Sequence, residues 1–170
     1  MVNNPNKIIV HHSADASRGS QLEKINGWHK ERFGSQARTG FWVGYHYLIE
    51  KDGGTFQTRY DDEEGCHTKG HNLDSIGVCL AGNFDIELPT AQQELALNKL
   101  CALLIKDHKI PSCNIYPHRR FSATSCYGMR LGSDWAREAY GKYLDSQLYN
   151  IWIQFKIILE NYKNVLLKRI

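Results

Sequence analysis

The chain has 170 residues, 42% of them hydrophobic and 23% charged, and 21 Lys+Arg against 18 Asp+Glu give a formal net charge of +3. That length allows one domain with a real core and room for an appendage, and the composition excludes wholesale disorder. So mild a charge, with no dense Lys/Arg block, argues against nucleic acid as a partner while suiting work near an anionic polymer.

The opening Met-Val-Asn-Asn-Pro-Asn-Lys has no charged region followed by an apolar stretch. No secretory leader is therefore expected, and the chain should be made and folded in a cytoplasm. Five cysteines (Cys66, Cys79, Cys101, Cys113, Cys126) are odd in number and form no Cys-x-x-Cys pair. In a reducing compartment they are expected as free thiols, Cys79 and Cys101 in the core and Cys126 as the one that holds metal.

In chain order, Lys7 to His11 reads as a short buried strand, because its isoleucines and valine are β-branched and the run is too brief for a helix. His11 then stands where a core strand delivers a side chain to a cleft. Ser20-Gln-Leu-Glu23 has the form of a capping box, and the spacing of Leu22, Ile25, His29 and Phe33 predicts a helix over about 20–33 with Trp28 near its buried edge. Val43 to Glu50 and Thr55 to Thr58 flank Lys-Asp-Gly-Gly, a hairpin signal that puts Tyr45 on the first strand. Residues 60–74 read as a surface loop, and Ser75 to Leu80 as an apolar strand. Thr90-Ala-Gln-Gln93 is a second capping box, opening a helix that carries Leu97, Leu100, Cys101 and Leu104 and stops at Pro111. Asn114 to Tyr116 is a short strand leading into the loop Tyr116 to Cys126.

From Asp134 the pattern is helical to the end. Leu144, Leu148, Ile151, Trp152, Phe155, Ile158, Leu159, Tyr162, Val165 and Leu166 trace an apolar stripe. Residues 145–170 carry Lys156, Lys163, Lys168 and Arg169 against Asp145 and Glu160, a charge of +2. Such a helix can pack on its own domain, pair with a copy of itself, or lie on an anionic membrane surface. The expected organisation is one domain over 1–145 and an amphipathic helical tail over 146–170.

Two imidazoles and one thiolate, His11, His118 and Cys126, make a plausible zinc set that leaves a fourth position open. Eight scattered histidines could also supply such a trio by chance. Further motifs decide between these. Ile-Val-His11-His12-Ser-Ala, Trp28-His-Lys-Glu, Val-Gly-Tyr45-His46-Tyr-Leu-Ile, His67-Thr-Lys-Gly, Asn72-Leu-Asp-Ser-Ile-Gly-Val-Cys-Leu-Ala-Gly-Asn, and His118 with Ala-Thr-Ser-Cys126 follow one another along residues 5–145. This order resembles that of the zinc-dependent N-acetylmuramoyl-L-alanine amidases, especially the phage amidase-type lysozymes and the peptidoglycan recognition proteins.

The resemblance implies an α/β fold, a mixed central β-sheet flanked by helices with a groove over the zinc, here with an extra C-terminal amphipathic helix. It implies Zn2+ as cofactor and peptidoglycan as partner, with His11, His118 and Cys126 as ligands. His12 is left as a hydrogen-bonded neighbour, since adjacent strand residues face opposite ways. Tyr45 matches the active-site tyrosine, and Thr124 stands where the phage lysozymes carry lysine, so it can donate a hydrogen bond but adds no charge. Cys79 replaces the glutamate of the wall-recycling amidases. Tyr127 replaces the proline that usually follows the cysteine, which should loosen the loop. His67 and Asn72 match groove-lining positions, and Arg59 could meet a peptide carboxylate through its fork of donors. The implied activity is hydrolysis of the muramoyl-L-alanine amide as a phage endolysin or bacterial autolysin, acting on the wall after release. The alternative is a non-catalytic peptidoglycan-binding module.

Overall fold

The computed structural model describes residues 2–167, with side chains to residue 159. One five-stranded sheet organises it: β1 (Lys7–His12), β2 (Tyr47–Ile49), β3 (Thr55–Gln57), β4 (Ser75–Leu80) and β5 (Ile115–Pro117), in the order β3-β2-β4-β1-β5. β1 runs parallel to β4 and β5, β2 parallel to β4, and only the β2–β3 hairpin is antiparallel. The expected mixed sheet flanked by helices is present.

β1 and β4 are central and almost wholly buried, as their unbroken apolar sequence requires of a strand covered on both faces. Alternation along β1 sends Ile8 and Val10 into the larger core with Ile76, Val78, Leu80, Leu97, Leu100 and Leu104. That core lies under α2 (Ala91–His108) and the first turns of α3 (Trp135–Leu167). The other face carries Leu48 and Cys79 against Ile25 of α1 (Gln21–Phe33) and Val43.

The capping box of α2 forms as expected: Thr90 Oγ1 accepts from Gln93 N–H at 3.0 Å and Gln93 Oε1 accepts from Thr90 N–H at 3.1 Å. At α1 the box does not form. Glu50, at the end of β2, instead sends Oε1 into the helix terminus, accepting from Ser20 Oγ at 3.0 Å, Gln21 N–H at 2.7 Å and Leu22 N–H at 2.9 Å. A carboxylate satisfies two orphan donors and faces the positive end of the helix dipole, so it outcompetes the serine hydroxyl. Two other expectations fail here. Trp28 is 54% exposed, the buried residues being Gln21, Ile25 and His29. Tyr45 precedes β2 in a bent segment rather than riding on a strand.

α3 is one continuous helix of 33 residues, about 50 Å long. Ala136, Ala139 and Tyr140 are buried at its start, whereas the stripe from Leu144 to Leu159 is exposed. The expected continuation of that stripe at Tyr162, Val165 and Leu166 lies outside the described side chains. Among the described residues no helix is long and apolar enough to cross a membrane.

Candidate metal centre

His11 enters the site from the end of β1, in register with Cys79 of β4. His118 opens a short 3-10 helix, His118–Arg120, directly after β5. Cys126 follows on the returning loop, whose carbonyl accepts from Arg119 N–H at 2.8 Å. Three residues far apart in sequence thereby converge: one ligand atom from each of His11, His118 and Cys126 lies within 4.8 Å of the others, so together they could hold a metal ion. The Cys126 Sγ–His11 Nδ1 separation is 3.8 Å and the two imidazole rings lie 4.4 Å apart.

The donors suit a cation. Burial, reinforced by His67 and His118, holds the His11 pKa well below the usual histidine value, and burial lowers that of His118, so both rings present a neutral lone pair. Burial pushes the Cys126 thiol up to about 12, against which the His12 main-chain N–H, 3.4 Å from Sγ, pulls it down. A thiol held that high becomes a ligand only in the field of a cation, so metal binding must release its proton.

His12 turns the other way. Its Nδ1 accepts from Phe84 N–H at 3.0 Å, and its side chain belongs to the opposite face of the sheet. The Tyr45 ring lies 5.0 Å from that of His11, half-buried. Burial, together with the Cys79 and Cys126 thiols, raises its phenol well above the ordinary value. Thr124 is exposed, and its Oγ1 accepts from Cys126 N–H at 3.2 Å, which leaves its own O–H to donate outward.

The three expected groove residues make hydrogen bonds within the protein. His67 is buried beneath the centre, its Nδ1 3.1 Å from His11 Nε2, with Thr68 Oγ1 touching both rings. Asn72 folds its Oδ1 back onto the main-chain N–H groups of His67 and Thr68, at 3.0 and 2.9 Å, and so shapes the loop that carries His67. Arg59 is buried, and its guanidinium donates to the carbonyls of Val43, Glu64 and Ser35. With those donors engaged it is not placed to meet a ligand carboxylate. Burial of a charged fork is tolerable only when its donors are satisfied in this way.

Further residues support the centre. His29 of α1 accepts from Gly44 N–H at 2.8 Å and fixes the segment leading into Tyr45. Gly77 of β4 leaves room for the His67 ring, since a Cβ there would meet that ring at 2.6 Å. Arg119 donates to the carbonyls of Gly128 at 2.7 Å and Leu131 at 2.6 Å, clamping the Cys126 loop. Only its position next to His118 could have drawn attention to it. Tyr127 is fully buried, and its hydroxyl donates to the carbonyls of Gly132 or Ser133, at 3.1 and 3.0 Å. The loss of proline is met by a large anchored side chain, contrary to the expected loosening.

Comparison with known proteins bears on this geometry. The endolysin of Escherichia phage T7 is 37% identical over 106 residues, covering 58% of this chain and 66% of that protein, so the match spans a little under two thirds of the relative's length. The solved N-acetylmuramoyl-L-alanine amidase LysC from Clostridium intestinale superposes with a TM-score of 0.69 at 30% identity, covering 83% of this chain and 86% of that one. The complex of tracheal cytotoxin with the ectodomains of peptidoglycan recognition proteins LCa and LCx matches with a TM-score of 0.66 at 26% identity, covering 77% of this chain and 81% of that one. The profile described as N-acetylmuramoyl-L-alanine amidase matches residues 1–129, which include every residue of the convergent cluster, and the chain belongs to that family.

Proposed function

We propose that the chain is a zinc hydrolase that cuts the amide between the lactyl group of N-acetylmuramic acid and L-alanine in peptidoglycan, acting as an endolysin on the wall after release from the cell. The observation that carries this reading is the His11–His118–Cys126 cluster with Tyr45 beside it. The donor set fits zinc. Bond lengths near 2.05 Å to nitrogen and 2.3 Å to sulfur keep tetrahedral donors about 3.6 Å apart, close to the 3.8 Å between Sγ and Nδ1. Three protein ligands leave a fourth position for the reacting partner.

His11, through Nδ1, His118 and Cys126 would hold the ion. When bound, zinc supplies Lewis acidity that polarises the scissile carbonyl and acidifies water at neutral pH. Tyr45 would keep its proton, an ordinary phenol being a poor base near neutral pH, and its hydroxyl would donate a hydrogen bond to the oxyanion developing on the carbonyl. Thr124 offers a second hydroxyl at the rim of the site. It contributes a donor without charge, so it stabilises that oxyanion less than an ammonium would. His67 and Asn72 act behind the centre, orienting His11.

The test is the release of L-alanine amino termini from purified walls, with bound zinc measured in parallel, for the parent and for Cys126→Ser. One zinc per chain and hydrolysis in the parent, with both lost in the variant, is the expected result. Zinc binding without hydrolysis by the parent would return the chain to wall recognition alone, and hydrolysis that survives complete metal removal would sink the metal-dependent reading.

A further inference from the structure

The first turns of α3 are covered by the domain, but beyond Tyr143 the helix presents large apolar side chains to solvent. Leu148, Ile151, Phe155 and Ile158 are each more than half exposed, and Leu144, Trp152 and Leu159 are between a third and a half exposed. Their spacing is the informative feature. Leu144, Leu148, Ile151, Phe155 and Ile158 alternate steps of four and three, and the sequence continues the same rhythm to Tyr162 and Val165. That is a heptad seam of period 3.5, with Trp152 and Leu159 widening it along one flank.

We infer that this face is an interface between copies of the chain, α3 of one protomer packing along α3 of another. A seam of period 3.5 is the pattern that keeps two helices in contact along their length. The seven residues expose about 760 Å², taking ~200 Å² for a fully exposed large residue, against ~800 Å² per partner in a standard interface. Over the turns that carry the exposed seam, Ser146, Gln147, Asn150 and Gln154 are uncharged and Asp145 and Lys156 cancel, the net positive charge of the tail coming from residues beyond 159. Ammonium Nζ of Lys156 lies 3.8 Å from the Trp152 ring centroid rather than projecting outward. Tyr149 and Ile157 lie on the outer face of the helix, away from the seam, and stay exposed in such a pairing.

The inference does not depend on the amidase reading and is tested on the full chain by sedimentation equilibrium at micromolar concentrations. The expected mass is twice the 19.5 kDa of one chain, or a higher whole multiple. Ile151→Asp and Ile158→Asp should each return the protein to a monomer with helix content by circular dichroism unchanged. Asn150→Asp, on the polar side, should leave the assembly intact. Should an aspartate cost helix content, Phe155→Gln is the variant to read, since it removes one seam residue and keeps a good helix former. A parent that is monomeric, or an assembly indifferent to the seam substitutions, overturns the inference. So does a monomer that pellets with phosphatidylglycerol vesicles, which would assign the face to lipid.

Discussion

His67 Nδ1 lies 3.1 Å from His11 Nε2, so the imidazole beneath the centre holds the imidazole that faces Cys126. Were Nδ1 of His11 to bind the metal as proposed, its Nε2 would carry the proton and donate a hydrogen bond to His67 Nδ1. A bond of this kind fixes the tautomer and angle of a ligating ring, and its removal typically costs tenfold to a hundredfold in metal affinity. His67→Ala should therefore weaken zinc binding by about that factor, read by competition with a chromogenic chelator. Gly77→Ala should do the same from below, because its new Cβ would push the His67 ring. Unchanged affinity in both variants would leave His67 a packing residue only.

Tyr45 offers the cleanest separation of binding from chemistry. Its ring packs against His11, and the proposed ligands are His11, His118 and Cys126. Tyr45→Phe keeps the ring and deletes the donor, so zinc content should stay at one per chain while kcat on purified walls falls by about 10²–10³, the usual effect of losing one oxyanion donor. Equal activity in the variant would remove Tyr45 from the reaction.

The strands and the start of α2 were legible in local chemistry, whereas the mixed sheet and the choice of His11, His118 and Cys126 among eight histidines followed from the ordered motifs that the chain shares with the amidases. The apolar runs within Lys7–His12 and Ser75–Leu80 are too short for helices and mark buried strands, and a capping box such as Thr90–Gln93 names its own helix start. What escaped depends on contacts across the fold. Ser20–Glu23 spells a capping box, yet a carboxylate from residue 50 takes the position, and no local pattern encodes that. His67, Asn72 and Arg59 have groups that suit a ligand, but each satisfies them within the protein, which only the three-dimensional surroundings decide.

The substituted cap gives a stability prediction. Glu50 Oε1 accepts three hydrogen bonds at the start of α1, two from otherwise unpaired main-chain donors. Loss of a charged cap costs about 1–2 kcal/mol, at the upper end for caps because the carboxylate also meets the helix dipole. Glu50→Ala should lower the urea midpoint accordingly, whereas Ser20→Ala should cost well under half as much. The reverse ranking would restore the capping box as the real cap.

His29 makes stability depend on pH in a defined direction. Burial, with Arg59 and Arg32 nearby, lowers its pKa to about 4, from an unfolded value near 6.5. Between these values the unfolded chain holds one more proton than the folded one, so stability rises with pH across the window. The contribution is complete above pH ~6.5 and is lost as pH falls through ~4, amounting to roughly 3 kcal/mol in all. His29→Asn keeps an acceptor for Gly44 N–H but cannot titrate. In the zinc-free protein the unfolding free energy of the variant should decline less steeply between pH 6.5 and 4.5 than that of the parent, by about 1.4 kcal/mol per pH unit. The other buried histidines titrate in both proteins, so the difference isolates this one. Superimposable profiles would mean that folding leaves the His29 pKa unshifted and that its ring does not accept from Gly44 N–H.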